Sequence, residues 1–316
     1  MLGVGLYGDN GHQVHHLLFT CPRARLIGVS AFMGETPAEG KVYETLEEML
    51  SDRAVDLISL CSPLRSEQAD HAIACMKAGK HVYAEKPCAL NEEDLDRILT
   101  TSRETGMIFR EMAGTAFEEP YSSMREIVVS GKIGEIVQVL FQKSYPYHPK
   151  RPQDERVDGG LLLQAGIHGL RLIEHTAGVR ITDIKALETQ YGNPETTGGL
   201  RMAASVMMTL DNGGIAAGIM NYLNQYGHGE WGNDHLRIFG TKGFVESTDG
   251  GRRARLIVGR EQGIEVEMKK TPVSYFDLLV QTLLGEGEMP LTPEDELHPL
   301  RMAIRAKRYA EAVGNG

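Results

Sequence analysis

The first 118 residues alternate between short apolar runs and amphipathic stretches, and this alternation constrains the fold more than any other feature. Runs such as LGVGLY and AVDLISLCSP have the length and composition of buried strands, whereas the stretches that separate them suit helices. Thr45 and Glu48 form a capping-box pattern at the start of one helix, and Asn91 suits the N-cap of another. Because strands that alternate with helices usually pair in parallel, the pattern predicts a parallel sheet covered by helices.

The pattern changes after Pro120, where strand-like runs follow one another with few helices between them. Such an order is typical of an α+β domain built on a mostly antiparallel sheet, and a long helix over 292–314 closes the chain. We therefore predict an α/β protein of two domains, residues 1–118 and residues 119–316, as the total length of 316 residues also suggests.

Composition and charge exclude several classes of protein. The formal net charge of −10 argues against a nucleic-acid partner, because affinity for the phosphate backbone comes from clustered lysine and arginine. No apolar run approaches the ~18 residues of a membrane span, and the N-terminus lacks the basic and apolar segments of a signal peptide. The four cysteines lack CxxC spacing and are interpreted as reduced thiols of a cytoplasmic protein.

A glycine-containing turn follows the first predicted strand, in the sequence GDNGHQ. A dinucleotide site favours G-x-G-x-x-G here, so that the pyrophosphate approaches the backbone at the start of a helix. This chain keeps Gly8, has Asn10 and Gln13 at the second and third glycine positions, and places Gly11 out of register. The turn is therefore either a cofactor site, with His12 as a further contact, or an ordinary connection between strand and helix.

The end of the second predicted strand does not decide between NAD and NADP. An acidic residue is expected there for the ribose hydroxyls of NAD, or an arginine for the 2′-phosphate of NADP. The strand instead ends at Ser30 and Ala31, with Glu35 as the nearest acid and no arginine close by. We expect Ser30 and Ala31 to contact the cofactor whichever of the two is used.

The sequence HVYAEKP, residues 81–87, carries an apolar strand that ends in a carboxylate, an ammonium and a proline. One strand earlier, residues 61–63 (Cys-Ser-Pro) also follow a strand, and ligands of parallel sheets bind at the carboxyl ends of the strands. Lys86 is suited to hydrogen-bond a substrate hydroxyl and to stabilise the developing alkoxide, with Glu85 orienting it. The alternative is a surface ion pair in a loop, which contributes little.

These motifs resemble those of the Gfo/Idh/MocA oxidoreductases, the glucose–fructose oxidoreductase and inositol dehydrogenase family. AGKHVYAEKPCAL matches the family pattern aGKHVxxEKPxa, and GGLLLQAGIHGLRLIEHTAG is similar to its second-domain helix pattern GGGxxxDxGxHxxD. SGKIGEI and IFGTKGFVES also resemble family motifs, so the likeness extends over essentially the whole chain. The resemblance implies a Rossmann domain with a doubly wound parallel sheet, a second domain with a large, mostly antiparallel open sheet, and NAD or NADP as cofactor.

Residues 160–177 predict an amphipathic helix by their spacing alone, with one polar stripe along it. The stripe consists of Gln164, His168, Arg171 and His175. The resemblance implies a catalytic Lys–Asp–His set, which Lys86 and His168 match residue for residue. Gln164 stands where the family has Asp, so it can position a hydroxyl but cannot raise the pKa of His168 as a carboxylate would.

The resemblance implies hydride transfer between nicotinamide and a carbinol carbon of a sugar, cyclitol or related polyol. Lys86 would polarise the hydroxyl, His168 would take the proton, and a homodimer or homotetramer would form through the open sheet. Two rival functions stay open: a cofactor-binding sensor without turnover, and a glycoside-cleaving enzyme in which hydride leaves and returns. The residues predicted to contact the cofactor are Gly8, Asn10, Gly11, His12, Ser30, Ala31, Cys61, Ser62, Pro63, Glu85 and Lys86.

Three further stretches are weaker candidates. His12, His15 and His16 cluster after the glycine turn, but no carboxylate or cysteine completes the set, so no metal site is predicted. Residues 225–235 form a glycine-rich polar loop that either covers a sugar-like substrate or only connects two elements. Residues 145–152, YPYHPKRP, offer aromatic and basic groups either to a polyol or to an interface.

Overall fold

The computed structural model describes residues 1–34, 37, 39–260, 262–269 and 274–314, so Glu35 lies outside the described residues. The chain divides into two compact units. The first unit comprises Met1–Ala113, Arg156–Gly159 and Val273–His298, and the second comprises Gly114–Glu155, Gly160–Pro272 and Pro299–Gly316. The predicted assignment of cofactor and substrate binding to residues 1–118 and 119–316 stays a prediction.

The first unit is built on a six-stranded sheet in which neighbouring strands pair in parallel. Its strands are β1 (Leu2–Tyr7), β2 (Ala24–Ser30), β3 (Lys41–Val42), β4 (Leu57–Leu60), β5 (His81–Ala84) and β6 (Phe109–Glu111). They lie in the order β3-β2-β1-β4-β5-β6, so the direction of winding reverses between β1 and β4. This order confirms the predicted doubly wound parallel sheet.

Helices connect most of the strands of this sheet, and two of them begin at the N-caps that the sequence predicts. They are α1 (His15–Leu18), α2 (Leu46–Ser51), α3 (Gln68–Lys77) and α4 (Glu92–Thr105). Thr45 Oγ1 accepts the Glu48 N–H at 3.1 Å, and Asn91 Oδ1 accepts the Asp94 N–H at 2.8 Å. Both predicted N-caps are thereby confirmed.

The helix after the glycine turn is short, since α1 contains only four residues. Two backbone groups ahead of it are already engaged in other hydrogen bonds. The N–H of His12 donates to Glu85, and the N–H of Val14 donates to the side chain of Gln13. The turn is therefore held by tertiary hydrogen bonds rather than by an extension of the helix.

The second unit is built on an eight-stranded sheet. Its strands are β7 (Ile136–Pro146), β8 (Ile181–Thr189), β9 (Ala203–Leu210), β10 (Ile215–Asn224), β11 (His235–Gly240), β12 (Gly243–Thr248), β13 (Arg253–Val258) and β14 (Ile264–Glu265). They lie in the order β14-β13-β12-β11-β7-β10-β9-β8. Only β7 and β10 pair in parallel among these strands, so the predicted mostly antiparallel sheet is confirmed.

Alternate residues of this sheet face its two sides. In β9, Val206 and Met208 are buried while Met207 between them is exposed, and in β10 Met220 is buried while Ile219 is exposed. One face is therefore packed, and the other presents apolar side chains that the described residues of this unit leave exposed.

The remaining helices are α5 (Tyr121–Val129), α6 (Glu155–Asp158), α7 (Ile167–Arg171), α8 (Tyr275–Leu283) and α9 (Pro293–Gly314). A π-helical turn precedes α7 at Leu162–Gly166, and another follows it at Leu172–Thr176. We call residues 162–176 the π-flanked helix. None of the helices in the described ranges is both long enough and apolar enough to cross a bilayer.

Two glycines let the π-flanked helix pack closely on the sheet of its unit. A Cβ on Gly169 would lie 2.1 Å from the ring of Phe141, and a Cβ on Gly218 would also lie 2.1 Å from it. The Phe141 ring is thus held between the helix and β10, and neither glycine position has room for a side chain.

Candidate active site

The glycine turn closes tightly on the end of β4. Gly8 has φ +70°, and a Cβ on it would lie 2.0 Å from the carbonyl oxygen of Cys61. Its N–H donates to the Ser30 carbonyl at 2.8 Å, which ties the ends of β1 and β2 together. Glycine is required at this position for both conformation and space.

The two residues that replace the expected glycines make hydrogen bonds within the first unit. Asn10 Nδ2 donates to the carbonyls of Pro63 at 3.0 Å and Val157 at 2.6 Å. Gln13 Nε2 donates to the Gly8 carbonyl at 2.9 Å, and its Oε1 accepts from Ser59 Oγ at 2.6 Å. These side chains stabilise the turn, which explains how it keeps a defined shape without the full glycine pattern.

Glu85 lies against the glycine turn with its side chain almost completely buried. Its Oε2 accepts the His12 N–H at 2.7 Å, and its Oε1 lies 3.2 Å from His12 Nδ1. A Cβ on Gly11, which has φ +130°, would lie 2.6 Å from the Glu85 side chain. Gly11 is therefore needed for the close approach of Glu85, although it stands out of register in the motif.

Glu85 is ionised in the folded protein. Burial by itself would raise its pKa, but the hydrogen bond from His12 and the charges of Lys86, His12 and Arg65 outweigh burial and lower the pKa to about 2. A buried carboxylate of this kind persists only where donors and cations surround it.

Lys86 is buried beside this carboxylate, with its side chain 3% exposed and its Nζ 3.9 Å from Glu85 Oε1. The alternative of an exposed ion pair in a surface loop is therefore wrong. The Lys86–Pro87 peptide bond is cis. A buried ammonium at the carboxyl end of β5 is suited to hydrogen-bond an oxygen atom of a ligand.

Gln68, the first residue of α3, connects the two loops that follow β4 and β5, and sequence reasoning missed it. Its Nε2 donates to the carbonyls of Glu85 at 2.6 Å and Pro87 at 3.1 Å. Its Oε1 accepts from the Ser62 N–H at 3.2 Å and from Arg65 Nη1 at 2.5 Å. The only signal in the sequence is a polar side chain at the start of a helix directly after the Cys-Ser-Pro stretch.

Two further carboxylates that were not predicted support the loop after Lys86. Glu111 Oε1 accepts the Cys88 N–H at 2.7 Å, and Glu296 Oε1 accepts the Glu111 N–H at 2.7 Å. Glu296 also accepts hydrogen bonds from Arg110 and Tyr275. The Lys86 loop is thus anchored to β6 and, through it, to the start of α9.

The predicted cofactor residues Ser30 and Ala31 lie at the end of β2. Ser30 is buried, and Ala31 has φ +56°. The carboxylate of Asp9 accepts the N–H groups of Met33 at 3.1 Å and Gly34 at 2.7 Å, and it therefore fixes the start of the following loop. Asp9 was not predicted as a site residue.

The predicted residues Cys61, Ser62 and Pro63 follow β4 directly. Cys61 is fully buried, and burial raises the pKa of its thiol. Ser62 Oγ lies 2.9 Å from His71 Nδ1. The structure thus places the predicted cofactor residues of the first unit together, around the carboxyl ends of β1, β2, β4 and β5.

This arrangement fits a dinucleotide. The winding of the sheet reverses between β1 and β4, and the glycine turn and residues 61–63 follow these two strands. Ligands of doubly wound sheets bind at such a reversal. Because Asn10 and Gln13 are held by carbonyls and hydroxyls of the protein, the substituted turn retains the compact backbone that a pyrophosphate site needs.

Gln164 and His168 lie on the π-flanked helix of the second unit, and both are partly exposed. His168 Nδ1 lies 3.0 Å from Thr115 Oγ1, a residue that sequence reasoning missed. The hydroxyl therefore fixes the orientation of the imidazole.

The predicted polar stripe does not extend along the π-flanked helix. Arg171 is 0% exposed and His175 is 2% exposed, so both belong to the packed interior. The π turn at Leu172–Thr176 takes more residues than an α turn and shifts the helical phase of His175. Arg171 follows His168 within the regular α7, so a π turn does not explain its burial. The stripe was predicted from a uniform period of 3.6 residues, and that assumption fails at His175.

The two candidate loops of the second unit contact each other. The ring of Trp231 lies 5.9 Å from that of His148 and 6.2 Å from that of Tyr145. Asn224 Nδ2 donates to the carbonyls of Glu230 and Trp231, each at 3.1 Å. Residues 225–235 are therefore held in place, and whether they cover a substrate stays a prediction.

Comparisons with known proteins match both units. A family model described as an oxidoreductase family with an NAD-binding Rossmann fold matches residues 2–112, and the GFO/IDH/MocA C-terminal domain model matches residues 121–246. Myo-inositol 2-dehydrogenase of Thermotoga maritima is 27% identical over 282 residues, which cover 86% of this chain and 82% of that protein.

Solved structures share the fold over nearly the whole chain. One Thermotoga maritima protein superposes with a TM-score of 0.89 at 24% identity, covering 99% of this chain and 98% of its own. Aldose-aldose oxidoreductase of Caulobacter crescentus, solved with glycerol, has a TM-score of 0.83 at 20% identity, covering 99% and 98%. These likenesses confirm the architecture.

Proposed function

Because the chain belongs to the GFO/IDH/MocA oxidoreductase family, with its NAD-binding Rossmann fold, we propose that it oxidises or reduces a carbinol carbon of a sugar, cyclitol or related polyol. The chain is an oxidoreductase that uses NAD or NADP. Relatives named for inositol oxidation support a polyol substrate, and so do the hydrogen-bonding groups of the candidate site.

The buried pair of Glu85 and Lys86 carries this proposal. Lys86 is 3% exposed and lies beside Glu85, whose carboxylate has a pKa of about 2. The ammonium group is therefore held by the protein rather than by water. In the proposed reaction Lys86 donates a hydrogen bond to the substrate oxygen and stabilises the negative charge that develops there. The nicotinamide supplies or accepts the hydride at the neighbouring carbon.

His168 is the proposed general base. Thr115 orients its imidazole, and an imidazole is the side chain best suited to exchange a proton near neutral pH. Gln164 is proposed to hold a substrate hydroxyl by its amide, which is uncharged and accepts no proton. The proton released in oxidation therefore goes to His168 and not to position 164.

Titration with NADH and, separately, NADPH tests the first half of the proposal. Saturable binding of either, followed by nicotinamide fluorescence, would identify which ribose is accepted. Reduction of the preferred cofactor would then be measured at 340 nm with inositols and aldoses as substrates. Binding without reduction across this panel would favour the sensor, and release of nitrophenol from a nitrophenyl glycoside without net reduction would favour glycoside cleavage.

Substitution of the two proposed catalytic residues tests the second half. We expect Lys86→Met and His168→Asn each to lower kcat by about 100-fold or more, in line with the loss of an oxyanion donor or a general base. Lys77→Met on the exposed end of α3 serves as the matched lysine control. Full turnover by Lys86→Met with the true substrate would contradict the proposed mechanism.

We also propose that the chain forms a homodimer or homotetramer through the open sheet of the second unit. Met207, Ile215 and Ile219 expose apolar surface on neighbouring strands of this face. Light scattering should show a multimer that Met207→Lys converts to a smaller species. Val129→Lys, at an exposed apolar residue of α5, is the control and should leave the mass unchanged.

A further inference from the structure

Arg151, in the segment that follows β7, is a buried cation without a carboxylate partner. It is 6% exposed, its Nη2 donates to the Pro146 carbonyl at 3.4 Å, and its guanidinium stacks on the Tyr222 ring at 3.7 Å from the centroid. Within the described ranges, its Nε has no hydrogen-bond partner and no Asp or Glu forms an ion pair with it.

The surroundings of Arg151 are positive rather than compensating. Asp234 is already held by an ion pair with Lys143, so its charge is matched. Burial lowers the pKa of His148, and the charges of Arg151 and Lys150 lower it further. Because neither Arg151 nor Lys150 forms an ion pair with a carboxylate among the described residues, an anion would be stabilised beside them.

The contacts of Arg151 do not compensate for burying its charge. Guanidinium stays protonated in proteins, so it cannot lose its charge as a buried lysine does. One long hydrogen bond and one stacking contact replace only part of the lost hydration. A buried guanidinium with so few polar contacts is suited to bind an oxyanion, which it does through paired N–H donors.

Arg151 lies at the same end of the π-flanked helix as Gln164. Along the helix, Gly169 packs against Phe141 beside Gly218, and a Cβ on Gly166 would contact Met220. Passing from Gly169 to Gly166 therefore follows β10 from Gly218 towards its carboxyl end. Continuing in that direction leads to the Gln164 turn on the helix and to Tyr222 on the strand.

The parallel pairing of β7 and β10 explains how the chain reaches this place. Leu223 of β10 lies opposite Pro146 of β7, so both strands end at the same edge of the sheet. Arg151 follows β7 at that edge and stacks on Tyr222, whose side chain faces the same side as Met220. The cation is therefore positioned near the part of the helix that carries Gln164, and His168 lies about one turn further along the helix.

We propose that Arg151 binds an acidic group of the substrate, so that the substrate is a polyol bearing a carboxylate or a phosphate. This inference rests on the proposed function and names the substrate class within it. The acid group would bind the guanidinium, and the hydroxyl to be oxidised would lie towards His168. Tyr222 holds the guanidinium plane in place.

Calorimetric titration of the full chain saturated with NADH tests this inference. D-Glucuronate and D-glucose 6-phosphate are the two acidic probes, and D-glucose is the neutral counterpart of both. We expect at least one acid to bind about tenfold or more tightly than glucose, as a charge-assisted bidentate contact allows. The acid that shows the preference identifies the group as carboxylate or phosphate.

Two variants and a control test whether Arg151 causes the preference for the acidic sugar. Arg151→Met should remove the preference for the acid, whereas Arg151→Lys should keep part of it because the charge remains without the planar fork. Lys132→Gln, which also removes one positive charge from an exposed position of the second unit, should leave the preference unchanged. Thermal unfolding of each variant checks that the fold is retained.

Equal binding of glucose and both acids would overturn the inference, and so would a preference that persists in Arg151→Met. Failure of the proposed function is distinguishable from either result. If NADH does not bind, the dehydrogenase proposal fails, and the same titrations without cofactor still test Arg151. If neutral polyols are oxidised equally well by Arg151→Met and the unsubstituted chain, the proposed function stands and the acidic substrate does not.

Discussion

The carboxylate of Glu85 accepts the backbone N–H of His12 at 2.7 Å, so the EKP motif and the glycine turn are joined by a direct hydrogen bond. Gly11 makes this contact possible, because a side chain there would occupy the position of the Glu85 side chain. The two motifs therefore form one structural unit at the carboxyl ends of β1 and β5.

Glu85→Gln should weaken NAD(H) binding. The substitution keeps the shape of the side chain but removes the negative charge that holds His12 and Lys86. A hydrogen bond to a charged group contributes roughly 1.5–3 kcal/mol, so we expect the Kd to rise by about tenfold or more. Fluorescence titration with the dinucleotide measures this Kd. Glu93→Gln, on the exposed face of α4, is the control and should leave the Kd unchanged.

The same carboxylate should make stability depend on acid pH. Its pKa falls from an ordinary 4.5 to about 2 on folding, so its contribution is complete above pH ~4.5 and is lost as the pH falls towards 2. The difference corresponds to about 3 kcal/mol. Urea unfolding of the unsubstituted chain and Glu85→Gln should show stabilities that converge between pH 5 and pH 2.5, and a constant difference would contradict this prediction.

Gln68 should be required for the stability of the first unit. Gln68→Leu leaves the carbonyls of Glu85 and Pro87 and the N–H of Ser62 without their partner in a buried place. Each unsatisfied group costs about 1–3 kcal/mol, so a loss of several kcal/mol is expected in urea unfolding. Gln68→Glu keeps an acceptor for Arg65 but loses the donor. Its free energy of unfolding should therefore lie between those of the unsubstituted chain and of Gln68→Leu.

Thr115 should act through His168. Removing the hydroxyl in Thr115→Val frees the imidazole to rotate, so we expect kcat to fall by about tenfold with little change in KM. Thr115→Ser restores the hydroxyl and should recover most of the activity. A purely structural role would instead lower thermal stability without affecting kcat.

Gly169→Ala should destabilise the second unit. The added methyl would lie 2.1 Å from the Phe141 ring, and overpacking of a core typically costs about 1–3 kcal/mol. Phe141→Leu should partly suppress the effect by removing ring atoms, which a double-mutant cycle would detect as coupling. Gly227→Ala, at a position with open space around it, is the control and should be nearly neutral.

Patterns that are local in the chain predicted most of the fold. The period of apolar residues and the caps at Thr45 and Asn91 depend only on neighbours, and both are confirmed. Gln68 and Glu111 were missed because they join loops that are 17 to 23 residues away, and no local pattern encodes such a partner. His175 was misplaced because the π turn at Leu172–Thr176 precedes its side chain, and a π turn leaves no obvious mark in the sequence.

The π turns of the π-flanked helix have a consequence for how such a site can change. Each accommodates a residue that a regular α-helix of the same length would not contain. Deleting one residue there would restore regular winding, while the helical segments on either side would keep the faces that they present. A single codon loss could thus be absorbed at either π turn without turning the side chains on the rest of the helix away from their present positions.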